Sequence, residues 1–199
     1  RSAWNASSGW TRASSPAPDR LPARIGSRRA VLRLQTGGMQ HRNVTRVVEA
    51  GRELGIEVVP KSFPEGTKTA ADAAAAIGVS VGQIVKSLIF GVVHEGVDSI
   101  VLAYVSGANQ LDERKLAAAV GGTKCHKVDA DAVREATGFP IGGVPPFGHA
   151  TRLPVFIDPD LLQYDEVWAA AGTWHDVFPL SPRDLVEASR GTVVDLKRE

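Results

Sequence analysis

The sequence has almost no cysteine and no long apolar run. Of its 199 residues only Cys125 is a cysteine, which excludes an intramolecular disulfide framework and leaves no Cys pair for a structural zinc site. The longest apolar stretches, at residues 88–93 and 100–105, are far shorter than the roughly 20 residues needed to cross a bilayer. We therefore expect a cytoplasmic protein that does not span a membrane and needs no metal or other cofactor.

Several catalytic signatures are also missing. The chain has no Walker motif, no GxGxxG fingerprint, no GxSxG elbow and no HxxxH or paired carboxylate set, so nucleotide hydrolysis, Rossmann redox chemistry, serine hydrolysis and metallohydrolysis have no sequence support. Cys125 and His126 look like a nucleophile and its base. Consecutive residues on a strand point to opposite faces, however, and we interpret this pair as structural.

Positive charge is concentrated at one end of the chain. Residues 1–38 contain seven arginines and a single acidic residue, Asp19, a net charge of +6, whereas the whole chain carries +1, which leaves −5 for residues 39–199. The first segment is rich in Ser, Ala, Gly and Pro and has no sustained apolar period. We predict a disordered extension over residues 1–38 and one domain over residues 39–199. The extension has three open interpretations: sequence upstream of Met39, a flexible arm that binds by charge, or a targeting leader.

Helix and strand signals alternate irregularly after residue 39. Helices are predicted after five N-caps, namely Asn43, Thr69, Asp112, Asp129 and Ser181. Strands are predicted at 56–59, 84–90, 99–105, 124–128, 153–158, 166–171 and 176–180, with hairpins joining the second to the third and the sixth to the seventh. Because turns join some strands and helices join others, the pattern favours a mixed sheet in an α+β domain.

Lys86 is the most informative charged residue, because it lies within the apolar run Val85-Lys86-Ser87-Leu88-Ile89-Phe90. A solvated surface lysine would be out of place in a buried strand. Its ammonium can form a structural ion pair or reach solvent through a long stem, or it can bind an anion or carbonyl at the mouth of a pocket. The pattern alone leaves both interpretations open.

A second candidate is the loop Gly142-Gly143-Val144-Pro145-Pro146-Phe147-Gly148. Glycines allow unusual backbone angles and close approach of a ligand, so such a loop can present amides to a carbonyl or phosphate. Tight turns have the same composition. His149, directly after the loop, and His175, in a turn between two predicted strands, can each be a solvated residue or a pocket donor.

Several segments, taken together and in this order, resemble one family, the YbaK/EbsC family of prolyl-tRNA synthetase-associated editing domains. The segments are Lys86-Ser87-Leu88-Ile89-Phe90, Gln110-Leu111-Asp112 with Lys115-Leu116, Ala136-Thr137-Gly138-Phe139, the loop at 142–148, and Arg152-Leu153-Pro154-Val155-Phe156-Ile157-Asp158. The resemblance covers about residues 42–196. It implies a compact single α+β domain with a central mixed, partly barrel-like β-sheet flanked by helices.

The resemblance also implies a function. Members of this family are aminoacyl-tRNA deacylases that hydrolyse the ester of mischarged tRNA in trans, typically Cys- or Ala-tRNA(Pro), for translation quality control. The expected partners are the acceptor end of mischarged tRNA and prolyl-tRNA synthetase, with the protein itself a monomer. The alternative from another class is a non-catalytic module that binds an aminoacyl group, the tRNA end or a synthetase.

Site residues follow from the same resemblance. The strand lysine, here Lys86, is essential in the family, and we expect it to bind the phosphate or carbonyl region of the substrate. We expect the amide of Gly143 to stabilise the oxyanion and His175 to orient water or the amino group of the substrate, since an activated ester needs no protein nucleophile. The expected substrate-binding residues are Ser87, Gly142, Val144, Pro145, Pro146, Phe147, Gly148, Gly172 and Thr173.

The acidic domain carries a further expectation about tRNA. Neutralisation of phosphates supplies much of the affinity of nucleic-acid binding proteins, so a domain of charge −5 is a poor binder by itself. Either a local basic patch compensates, formed by Lys61, Lys68, Lys124, Lys127 and Arg152, or a synthetase delivers the tRNA.

Overall fold

A computed structural model of the chain describes residues 38–64 and 69–199. Within them lie five helices: α1 (Gly38–Glu53), α2 (Ala70–Ile77), α3 (Glu113–Val120), α4 (Ala130–Thr137) and α5 (Pro182–Ser189). The eight strands are β1 (Lys61–Ser62), β2 (Val85–His94), β3 (Val97–Ser106), β4 (Lys124–Lys127), β5 (Val155–Ile157), β6 (Val167–Ala170), β7 (Asp176–Leu180) and β8 (Thr192–Val193). The extension predicted to be disordered lies outside the described residues, apart from Gly38.

The strands form two sheets. The larger has the order β4-β2-β3-β5-β8, with β2 antiparallel to both β4 and β3, and β5 parallel to both β3 and β8. The smaller has the order β1-β7-β6 and is antiparallel. The predicted α+β class and the mixed sheet are confirmed. The sheets do not close into a barrel: β4 and β8 are the edge strands of the larger sheet, and β1 and β6 are those of the smaller.

The hairpin of β2 and β3 forms the centre of the domain and is buried on both faces. Leu102 and Tyr104 point into the main core, whereas Val101 and Ala103 point into a second core on the opposite face. Alternate residues of a strand face opposite sides of its sheet. The near-continuous apolar sequence of β2 and β3 is therefore the expected signature of a central hairpin covered on both sides.

Four of the five predicted N-caps are confirmed. Each accepts a hydrogen bond from a backbone N–H of the first helical turn, and the four residues are Thr69, Asp112, Asp129 and Ser181. Thr69 also forms a reciprocal capping box with Asp72. Caps of this kind satisfy amides that have no partner within the helix. The start of four helices is thus encoded within a few residues of sequence.

Two local predictions are wrong. Helix α1 begins at Gly38, so Asn43 lies inside the helix, where its side-chain amide donates a 3.1 Å hydrogen bond to the carbonyl of Gly172. The strand predicted at 56–59 is absent. Its apolar residue Val58 is buried against α1 in the main core, so core packing accounts for the apolar run without a strand partner.

Candidate active site

A cavity of about 400 Å³ lies where the two sheets meet. A single bridge between Ile84 and Trp168 joins the start of β2 to β6 at this point, and the cavity opens beside it. Its lining residues are Thr69, Ala70, Ala73, Ile84, Val85, Lys86, Ser87, Leu88, Gly142, Val144, Trp168, Ala170 and Val177. Among the described residues, the lining contains one charged side chain, Lys86, and four of the residues predicted from sequence: Lys86, Ser87, Gly142 and Val144.

Lys86 is half-buried near the start of β2, opposite Val105 of β3. Its ammonium donates a hydrogen bond to the backbone carbonyl of Asn109. Burial lowers the pKa of Lys86 below its ordinary value, and the nearby carboxylate of Asp158 partly opposes this shift. A desolvated cation in a small cavity interacts more strongly with an anion or a polarised carbonyl than a solvated lysine does.

The carbonyl that holds Lys86 is itself fixed by two carboxylates. The side-chain amide of Asn109 donates to Asp158 at 2.7 Å and to Asp160 at 2.8 Å. Asp158 is fully buried and also accepts the backbone N–H of Ser106 at 3.1 Å. Hydrogen bonds thus connect Lys86 to Asn109 and Asn109 to the buried Asp158. Lys86 is therefore held in one place by a rigid support that extends from β3 to the segment after β5.

The first half of the glycine–proline loop, residues 142–148, packs directly against the turn between β6 and β7. A Cβ on Gly143 would lie 2.9 Å from both the N and the Cα of Thr173, so only glycine permits this approach of two backbones. The N–H of Gly143 donates to the carbonyl of Pro140 at 2.9 Å and closes a turn in which Gly142 has a φ of +81°. Gly172 and Thr173 thus buttress the cavity wall and do not line it.

The amide expected to stabilise an oxyanion is consequently occupied. Because Gly143 uses its N–H within the turn, that N–H is not available to a substrate in this conformation. The neighbouring Val144 lines the cavity, and its N–H has no hydrogen-bond acceptor among the described residues. The same holds for the N–H of Gly142. The amides of Gly142 and Val144 thus lie on either side of Gly143, the residue predicted from sequence to stabilise the oxyanion.

The second half of the loop points away from the cavity. The hydroxyl of the buried Tyr104 donates to the carbonyl of Pro146 at 3.0 Å, and Nε2 of His149 donates to that of Pro145 at 2.8 Å. Phe147 packs edge-on against Phe178 in the main core. None of residues 145–148 lines the cavity, so the prediction that they contact substrate is not supported by their position. They anchor the loop.

His175 is also away from the cavity lining. Its backbone N–H donates to the hydroxyl of Thr173, its carbonyl accepts from Phe63, and its Nδ1 is buried without a hydrogen-bond partner among the described residues. The geometry of the turn explains the position. The hydroxyl oxygen of Thr173 accepts hydrogen bonds from the backbone N–H groups of His175 and Asp176. The turn holds the backbone of His175 without bringing it into the cavity.

Sequence reasoning missed most of the cavity wall. Trp168 contributes its ring from β6, with the ammonium of Lys61 lying 4.7 Å from the ring centroid. Ala70 and Ala73 come from α2, and Ala170 follows Trp168. Small apolar residues carry no chemical signature, so nothing in the sequence distinguishes these alanines from ordinary core residues.

The surroundings of Cys125 and His126 bear on the prediction that this pair is structural. Burial raises the pKa of the Cys125 thiol to about 11, and His126 pairs with Asp98 at 3.2 Å, which fits a structural interpretation of both residues. Among the described residues, no group of three His, Cys, Asp or Glu side chains could hold a metal ion. No helix within residues 38–64 and 69–199 is long and apolar enough to span a membrane.

The fold and the cavity together define a small α+β domain with a pocket that contains Lys86 and is bordered by the backbone amides of Gly142 and Val144. Comparison with known proteins then identifies its family. A sequence model of the aminoacyl-tRNA editing domain matches residues 64–188, and the chain belongs to this family. The family membership therefore confirms the prediction of a YbaK/EbsC-like editing hydrolase that acts on aminoacyl-tRNA.

Individual relatives agree with this membership. The chain is 35% identical over 127 residues to the uncharacterized protein YwhH of Bacillus subtilis (strain 168), covering 64% of this chain and 78% of that protein. It is 30% identical over 122 residues to the multifunctional Ser/Thr-tRNA deacylase ProXp-y of Escherichia coli (strain K12), covering 61% and 73% respectively. A crystal structure provisionally described as a trans-editing enzyme for prolyl tRNA synthetase superposes with a TM-score of 0.72 at 44% identity, covering 79% of this chain and 98% of that one.

Proposed function

We propose that the protein removes an amino acid with a small, uncharged side chain from mischarged tRNA in trans, with Cys- or Ala-tRNA(Pro) as its substrate. The observation that carries this proposal is the placement of Lys86 in a cavity of about 400 Å³ with alanine walls and no carboxylate among the described lining residues. An apolar wall without a carboxylate among the described lining residues suits an aminoacyl group whose side chain is uncharged. The similarity to a structure provisionally described as a prolyl-tRNA synthetase trans-editing enzyme supports the choice of tRNA.

The proposed reaction is hydrolysis of an ester that is already activated. The ammonium of Lys86 binds the carbonyl region of the aminoacyl ester and orients it toward Gly142 and Val144. Water adds to the carbonyl carbon, and the negative charge that develops on the oxygen is stabilised by Lys86 and by the amides of Gly142 and Val144. The bond between the carbonyl carbon and the ribose oxygen then breaks, and that oxygen takes up the proton that the attacking water gives up.

Delivery of the tRNA requires a partner. The basic residues considered from sequence lie on separate elements: Lys61 on β1 in the smaller sheet, Lys124 and Lys127 on β4 in the larger one, and Arg152 in the loop before β5. Lys68 lies outside the described residues. We infer that prolyl-tRNA synthetase hands over the mischarged tRNA and that the protein, acting as a monomer, binds isolated tRNA weakly and in a salt-sensitive manner.

A substrate panel tests the proposal. The purified chain is incubated with tRNA(Pro) charged with Cys, Ala, Ser or Pro, and release of each amino acid is followed against the buffer blank. We expect fast release of Cys or Ala and none of Pro. Serine is included because ProXp-y is named as a Ser/Thr-tRNA deacylase. A folded protein that binds charged tRNA and releases no amino acid would favour the binding-module alternative.

A further inference from the structure

Two large apolar side chains lie exposed beside the cavity. Trp174, in the turn between β6 and β7, is 49% exposed, and Ile141, directly before the glycine–proline loop, is 50% exposed. Large apolar groups that remain exposed together commonly mark a binding surface. We call these two residues the Trp174 platform.

The platform is fixed to the rim of the cavity. The indole N–H of Trp174 donates a hydrogen bond to the carbonyl of Ile141. A Cβ on Gly142 would lie 3.1 Å from Cδ1 and 3.3 Å from Nε1 of Trp174, so the pyrrole edge of the indole rests against Gly142. Gly142 also lines the cavity. One backbone residue therefore separates the platform from the space proposed to hold the aminoacyl group.

We propose that the Trp174 platform stacks on the nucleobase of the terminal nucleotide that carries the aminoacyl ester. The inference rests on the proposed function. In such a substrate the ester is joined to the ribose, and the same ribose carries the base. When the aminoacyl group occupies the cavity, the base must therefore lie close to its rim, where the indole is held.

Physical considerations favour a nucleobase as the occupant. Single-stranded ends of RNA are bound by aromatic side chains on which unstacked bases lie, and this contact needs no phosphate neutralisation. Residues 39–199 carry a net charge of −5, so contacts to phosphates contribute little here. An indole whose N–H is already engaged loses little conformational freedom on binding. Stacking thus supplies affinity for the terminal nucleobase, which always lies close to the ester because both are joined to the same ribose.

The test measures binding rather than turnover. The ligand is 3′-(alanylamino)-3′-deoxyadenosine, in which an amide replaces the ester, and the comparison ligand is alanine amide, which lacks the nucleoside. Titration calorimetry compares the full-length wild type, Trp174→Ala, Trp174→Phe and a control, Val97→Ala, which removes another exposed apolar group at the far end of β3. We expect Trp174→Ala to weaken binding of the adenosine ligand roughly 5- to 100-fold, while alanine amide binds all four proteins equally. Trp174→Phe should retain most of the affinity.

Two outcomes would overturn the proposal. Unchanged binding of the adenosine ligand by Trp174→Ala would show that the base lies elsewhere. Equal loss of affinity for both ligands would show that Trp174 only maintains the structure of the cavity. None of these measurements requires hydrolysis. A wild-type protein that releases no amino acid would contradict the proposed function, and the binding titrations would still test the role of Trp174.

Discussion

The side-chain amide of Asn109 donates a 2.7 Å hydrogen bond to the buried carboxylate of Asp158. This contact fixes the residue whose carbonyl accepts the hydrogen bond of the Lys86 ammonium. Asp158 thereby acts on Lys86 twice, by positioning its acceptor and by its negative charge. We regard Asp158 as a positioning residue.

Asp158→Asn should move the alkaline limit of activity to lower pH. The pKa of Lys86 is lowered by burial and raised by Asp158, so removing the carboxylate lowers it further. If the protonated form is the active one, activity is present below this pKa and lost as the pH rises through it, earlier in the variant. The rate of deacylation is measured against pH after subtraction of spontaneous hydrolysis. Asp160→Asn, which also alters a contact to Asn109, is the control and should leave the limit in place; equal limits in all three proteins would contradict this account.

Gly143→Ala should lower activity by forcing two backbones apart. Its Cβ would lie 2.9 Å from the backbone of Thr173, and backbone cannot move aside as a side chain can. We expect kcat/KM to fall at least about tenfold and the free energy of unfolding to fall by about 1–3 kcal/mol. Gly96→Ala, in the distant hairpin turn with open space around it, should cost some stability and leave kcat/KM unchanged. Full activity in Gly143→Ala would show that the contact with Thr173 does not shape the site.

His149 should make the folded protein sensitive to acid. Burial lowers its pKa in the folded state below the ordinary value of 6.5, and its neutral ring donates to the carbonyl of Pro145. Its contribution to stability is therefore present above about pH 6.5 and lost as the pH falls. Urea unfolding at pH 5, 6 and 7 should show a smaller loss of stability in His149→Gln, which keeps a donor for Pro145. If the free energy of unfolding falls equally with pH in the wild type and in His149→Gln, His149 is not the origin of the acid sensitivity.

Local signals made much of the fold predictable. The caps at Thr69, Asp112, Asp129 and Ser181 each bind amides within three residues, so a short window of sequence contains the whole interaction. Lys86 was recognisable for the same reason, because a cation inside an apolar strand stands out within that strand. Features of this kind depend on neighbours in the chain and need no knowledge of the tertiary structure.

The remaining features depend on contacts between distant parts of the chain. Asn43 looks like an N-cap, yet its amide binds Gly172, 129 residues away. The N–H of Gly143 donates to the carbonyl of Pro140 within a turn. The sequence indicates that a turn forms here, but it does not show which amide the turn uses. Trp168 reaches the cavity only because one bridge joins the two sheets at Ile84. The composition of a loop indicates that a site exists, whereas the direction of each amide follows from packing.

The most direct test of the central claim is the rate at which Lys86→Ala releases the amino acid from the tRNA(Pro) substrate that the wild type cleaves best. The control is Lys124→Ala, which removes an exposed lysine of β4, and thermal unfolding establishes that both variants are folded. We predict a rate at least about 10²-fold lower for Lys86→Ala and a wild-type rate for Lys124→Ala. A folded Lys86→Ala that releases the amino acid at the wild-type rate would remove Lys86 from the reaction and contradict the account.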